Sequence, residues 1–80
     1  IKAMRVNVKL FANLREYSPN KNPNFTTTLE EGATVEDLLK KLGIPRDVPH
    51  LTLINGTHVR GNQALKEEDT ISMFPPIAGG

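Results

Sequence analysis

Eighty residues carrying a net charge of +1 make one small domain and leave no room for a second. There is no cysteine, which excludes disulfide staples, a thiol nucleophile and a cysteine zinc site, and two histidines are too few for a metal cage. A 38% hydrophobic and 24% charged composition suits a folded domain, the small net charge gives no expectation of nucleic acid, and no apolar run approaches the ~18 residues of a membrane span.

Met4, Val6, Val8 and Leu10 alternate with Arg5, Asn7 and Lys9, the pattern of a half-buried strand, and Phe11 falls on the polar side of that alternation. Ile1-Lys2-Ala3 precede a native start at Met4 and read as an expression remnant. The chain from Ala12 to Tyr17 suits a short helical turn, and Ser18 to Asn24 is a breaker-rich loop. Phe25-Thr26-Thr27-Thr28-Leu29 reads as a second strand, close enough to the first for an antiparallel hairpin.

Thr34 with Asp37 three residues on approximates a capping box, and Val35, Leu38, Leu39 and Leu42 follow at helical spacing. Gly43 stops that helix and Pro45 follows it. His50 to Ile54 reads as a third strand, Asn55-Gly56 as a type I′ turn and Thr57-His58-Val59 as a short fourth strand. Of the neighbours Leu53 and Ile54 only one can face the core; the fold pattern puts Ile54 inward and leaves Leu53 to a partner. Glu67, Glu68 and Asp69 form a solvated turn, since their spacing matches no metal loop. Thr70 to Phe74 alternates again with Ile71 and Met73 inward; Phe74, like Phe11, is out of phase, and Pro75-Pro76 closes the strand.

Strand, strand, helix, strand, short strand, strand is the order of an α+β ubiquitin-like β-grasp: a mixed sheet with one main helix on one face and a flexible C-terminal Gly-Gly tail. The expected division is a domain over 4–74, an extended tail over 75–80 and the extra residues 1–3. The second face of the sheet stays open. Charge divides along the chain, with five bases against one acid over residues 1–29 and five against eight over residues 30–80. The basic first half reads as an ordinary solvated strip or a docking strip for an acidic surface; it lacks the interleaved aromatics that would stack nucleic acid.

The tail carries the chemistry. Pro75-Pro76 favours a stiff polyproline exit, so six residues at ~3.1 Å each reach roughly 15–19 Å. Gly79 and Gly80 lack Cβ atoms, can thread a narrow channel and leave the terminal carboxylate unshielded. A carboxylate is a poor electrophile and must be activated, for instance as an acyl-adenylate made with ATP; with no phosphate-binding loop in this chain, the activating enzyme is another protein.

Phe74-Pro75-Pro76-Ile77-Ala78-Gly79-Gly80 resembles the C-terminal signature of the MoaD family, the sulfur-carrier small subunit of molybdopterin synthase. Phe11-Ala12-Asn13-Leu14-Arg15-Glu16, Gly32 to Leu39, Ile54 to Val59 and Leu65 to Ile71 resemble the family's other motifs, with Glu68 where Gly is usual. The resemblance implies that an E1-like enzyme adenylates Gly80 with ATP, that sulfur transfer makes a thiocarboxylate, and that the tail of Pro75, Pro76, Ile77, Ala78 and Gly79 inserts into the large synthase subunit. There sulfur passes to a cyclic pyranopterin to form molybdopterin. The chain would be the non-catalytic sulfur donor of a cytoplasmic heterotetramer, with no bound cofactor and no metal. Phe11 and Phe74 would anchor its docking face, with Leu53 and His58 beside them, His58 standing where a hydrophobic residue is common. Two alternatives share the fold: a carrier of the ThiS type serving thiazole synthesis, against which Pro75-Pro76 speaks, and a ubiquitin-like modifier joined through Gly80 to lysines.

Overall fold

The computed structural model describes residues 2–19, 22–45, 47 and 50–76. β1 (Ala3–Leu10) alternates strictly, and Met4, Val6, Val8 and Leu10 are all buried. It opens one residue before Met4 because Ala3 pairs with Glu30, and the Lys2 carbonyl accepts from the Glu31 N–H at 2.8 Å. A 3₁₀ turn (Ala12–Tyr17) follows, and its Leu14 plugs the end of the core with no exposed surface. β2 (Asn24–Glu30) returns antiparallel to β1, as the two-strand reading expects.

The helix α1 (Val35–Leu42) has the predicted bounds, and its capping box is complete. The Asp37 N–H donates to Thr34 Oγ1 at 3.4 Å, while Asp37 Oδ2 accepts from the Thr34 N–H at 2.9 Å. Two further amides of the first turn find carbonyls outside the helix: Val35 donates to Gln63 and Glu36 to Gly61, at 3.0 and 2.9 Å. Of the N-terminal donors that every helix leaves open, two are thus met by the capping box and two by the 61–65 loop, which also buries Leu65. Gly43 closes the helix at φ 79°, a left-handed conformation.

β3 (Leu51–Ile54) and β4 (Thr57–Val59) form the expected hairpin, with Asn55 and Gly56 at φ 51° and 90° in its turn. β5 (Thr70–Phe74) runs parallel to β1 and antiparallel to β3. Among the described residues the strands make one five-stranded mixed sheet in the order β2-β1-β5-β3-β4, with the last strand of the chain at its centre. α1 supplies Val35, Leu38 and Leu39 to the core on one side of that sheet, and this is the ubiquitin-like β-grasp architecture. Thr52 is buried among these apolar residues, a position the sequence reading did not assign to the core; its partners across the ladder are Val59 and Met73.

Candidate docking face and tail root

Parity along each strand decides what the second face of the sheet presents. With Val6, Val8 and Leu10 buried, Arg5, Asn7 and Lys9 point the other way, and Phe11 continues their row. On β5 the same argument puts Thr70, Ser72 and Phe74 on that face, and on β3 it puts Leu51 and Leu53 there. Residues paired directly across a ladder share a face, so His58, opposite Leu53, joins them.

Two rows result. Lys9, Ser72, Leu53 and His58 line up across four strands. Nearer the chain's exit, Phe11, Phe74 and Leu51 form an apolar row. The rings of Phe11 and Phe74 meet edge to face, 6.1 Å between centroids at 69°. The Phe11 N–H donates to the Met73 carbonyl at 3.0 Å, which holds Phe11 beside β5 after β1 has ended. Ala12 then leaves the strand through φ 53°. Phe11 is 45% exposed, and it is the large hydrophobic residue that the described surface leaves in water. A partly exposed aromatic pair at one end of a sheet face that no described element covers is a candidate anchor.

The predicted residues therefore come together: Phe11, Phe74, Leu53 and His58 share one face. Leu53 is half-buried rather than fully exposed, because Ser72 and His58 flank it, while His58 itself is exposed. Ile54 packs against the core from the other side, as expected. Leu51 was missed. Its signal was available, since it lies two residues before Leu53 on the same strand.

Pro75, half-buried, and Pro76, exposed, follow Phe74 directly, so the tail starts from the central strand beside the aromatic pair. Ile77, Ala78, Gly79 and Gly80, the predicted insertion and reaction residues, lie outside the described residues.

The acidic turn has a structural role. Asp69 Oδ2 accepts from the Lys66 N–H at 2.8 Å and Asp69 Oδ1 from Asn55 Nδ2 at 3.0 Å. Asn55 Oδ1 in turn accepts from the Thr70 N–H at 2.9 Å, so the hairpin turn is clamped to the start of β5. Glu68 pairs with Arg5 across 3.6 Å in an exposed contact. Among the described residues no three His, Asp or Glu side chains are gathered as metal ligands. No helix among them is long and apolar enough to cross a membrane. Hydrogen bonds from the Thr34 backbone and side chain hold the Asp37 carboxyl below the usual carboxylate range, with Lys40 assisting.

Residues 8–80 match the ThiS family. No curated protein matches the chain at a significant level. Among solved structures, the small archaeal modifier protein 1 of Methanosarcina acetivorans is 30% identical, with a TM-score of 0.72 over 99% of both chains. A Pyrococcus furiosus protein assigned as subunit 1 of molybdopterin converting factor is 26% identical, with a TM-score of 0.76 over 92% of this chain and 99% of that one. A complex of subunits 1 and 2 of the molybdopterin-converting factor of Helicobacter pylori contains a chain 25% identical, with a TM-score of 0.61 over 96% of this chain and 100% of that one.

Proposed function

The chain belongs to the ThiS family of ubiquitin-like sulfur carriers, and on that premise we propose that it is the small, sulfur-donating subunit of a molybdopterin synthase. The observation that carries this reading is the pairing of an uncovered aromatic face with the tail root. Phe11 and Phe74 stand where Pro75-Pro76 leaves the sheet, so a partner gripping the aromatic pair would receive the terminal residues in its own interior. The likeness to the Pyrococcus furiosus and Helicobacter pylori subunits supports this assignment.

In this scheme the chain is a carrier and not a catalyst. An E1-like enzyme joins the Gly80 carboxylate to AMP from ATP, with release of pyrophosphate. A sulfur donor displaces AMP and leaves a thiocarboxylate. The tail enters the large subunit, the sulfur passes to a cyclic pyranopterin, and Gly80 returns as a carboxylate. The fold contributes a rigid platform, a stiff Pro-Pro stem and two residues without side chains. Acid–base groups and the pterin pocket belong to the partner, and ATP is consumed by the activating enzyme.

The likeness to the small archaeal modifier protein favours one second reading, conjugation of Gly80 to lysines of other proteins. Intact-mass measurement separates the two. After incubation with an E1-like enzyme, ATP and a sulfur source, the carrier gains the mass of one oxygen-to-sulfur exchange at its C-terminus. Ladders of lysine-linked products with no thiocarboxylate would establish the modifier instead. A chain that is neither activated nor altered in mass would overturn both.

A further inference from the structure

β2 is an edge strand, and its free side carries a hydrogen-bond pattern complementary to itself. The Arg5 N–H donates to Glu67 Oε1 at 3.1 Å, the Arg5 carbonyl accepts from the Glu68 N–H at 2.7 Å, and the Asn7 N–H donates to the Asp69 carbonyl at 2.8 Å. The odd-numbered residues of β1 thus turn their peptide groups toward β5. Met4, Val6 and Val8 are left to hold the ladder to Leu29, Thr27 and Phe25. It follows that Asn24, Thr26, Thr28 and Glu30 aim their peptide groups away from the sheet.

Three of these outward groups are occupied from within the chain. The Asn24 N–H donates to Asn22 Oδ1 at 3.1 Å, the Glu30 carbonyl accepts from the Ala33 N–H at 3.0 Å, and the Thr28 carbonyl accepts from Lys41 Nζ. Among the described residues the Asn24 carbonyl, both peptide groups of Thr26 and the N–H groups of Thr28 and Glu30 have no such partner.

We propose that the β2 edge binds a second copy of this chain, antiparallel and centred on Thr26, joining two five-stranded sheets into one about a two-fold axis. In this register Thr26 faces the second copy's Thr26, and the pair exchanges both hydrogen bonds. Each Thr28 N–H then reaches the Asn24 carbonyl opposite. The other bond of that step would need the Asn24 N–H and the Thr28 carbonyl, and these are the two groups that Asn22 and Lys41 already occupy. Four bonds form and no cap is displaced. A slide that sets Thr26 opposite Thr28 also makes four bonds, from the Thr28 and Glu30 N–H groups, but it turns each Thr26 N–H onto the Thr28 carbonyl that Lys41 holds, whereas the Thr26-centred register pairs both peptide groups of Thr26 in the middle of the seam. On the outer face Thr26 meets Thr26; on the core face Phe25, half-buried here, meets Thr27, a favourable aromatic and β-branched pair. β5 lies two strands in from the seam, so the aromatic face and Pro75-Pro76 stay accessible in the dimer. One strand pair buries little surface, so the association is weak and forms in concentrated protein.

The lack of native cysteine makes single-cysteine cross-linking unambiguous. In this register the two Thr26 Cα atoms lie about 5.5 Å apart, within disulfide reach. The two Thr28 Cα atoms are displaced by four residues along the strands, roughly 14 Å, and are out of reach. Under mild oxidation at high concentration, T26C yields covalent dimer and T28C does not. In sedimentation the native chain gains mass with concentration. T26K, a change at an exposed position checked for retained fold by circular dichroism, stays monomeric because it sets two ammonium groups opposite each other. A native mass independent of concentration, equal cross-linking of T28C and T26C, or a T26K chain that dimerises like the native one would each overturn the proposal.

Discussion

Glu68 occupies a left-handed backbone position, φ 69°, just before β5. The related motif in the MoaD family usually has Gly there, and the conformation gives the physical reason: a Cβ in this region costs about 1 kcal/mol that Gly does not incur. What Glu68 gains in return is an exposed pairing with Arg5 at 3.6 Å, a kind of contact that contributes little. Glu68→Gly is therefore expected to stabilise the domain by about 1 kcal/mol, read as a higher urea midpoint at unchanged slope. Asn55 shows the opposite balance. It tolerates φ 51° and also spans Asp69 and Thr70 with its side-chain amide. Asn55→Ala removes both hydrogen bonds and the tolerance of the turn, and should cost about 2–3 kcal/mol in the same measurement. The turn at Asn55-Gly56 was legible in the sequence because turn chemistry is local. The clamp to Asp69 was not, because the two residues meet only after β5 has been placed between β1 and β3.

At the scale of elements, α1 was the most legible part of the chain. Its cap, apolar stripe and Gly43 stop are all encoded within a few residues of one another. Thr34→Ala should lower stability by about 1 kcal/mol through loss of the cap. The Asp37 side of the same box adds a pH dependence. Its pKa is lowered in the folded state, chiefly by the Thr34 backbone hydrogen bond, so its contribution is present above the unfolded aspartate range. That contribution is lost as pH falls through the depressed folded value. The stability advantage of the native chain over Asp37→Asn is thus expected to be full at neutral pH and to close as pH drops below about 4, followed by urea midpoints across that range. The 3₁₀ turn was legible as a turn, yet nothing local announced that Leu14 would be fully buried, since that depends on where the open end of the core falls. Thr52 escaped for a similar reason: a threonine in a strand reads as surface until the helix on the other side is placed.

At the scale of the whole molecule, function rests on a division between a buried sheet face and an uncovered one. Phe11 contributes little to the core because it is 45% exposed, whereas it is the most available apolar surface for a partner. Phe11→Ala is expected to lower stability by less than about 1 kcal/mol while weakening binding to a synthase large subunit at least about tenfold, measured by calorimetry on both variants. Adding one bulky residue after Gly80 should abolish sulfur loading and leave the melting temperature unchanged; a large fall in melting temperature would count against a free tail. The sequence by itself determined the elements, the helix cap, the inward sets of β1 and β5 and the Pro-Pro-to-Gly-Gly tail, because period, capping and turn chemistry act over short stretches. Only the tertiary structure decided which strand lies at the centre. By setting β5 between β1 and β3 it put Phe11 beside Phe74, added Leu51 to their row and left β2 at an open edge, since those neighbours are far apart along the chain and only the sheet's pairing brings them together.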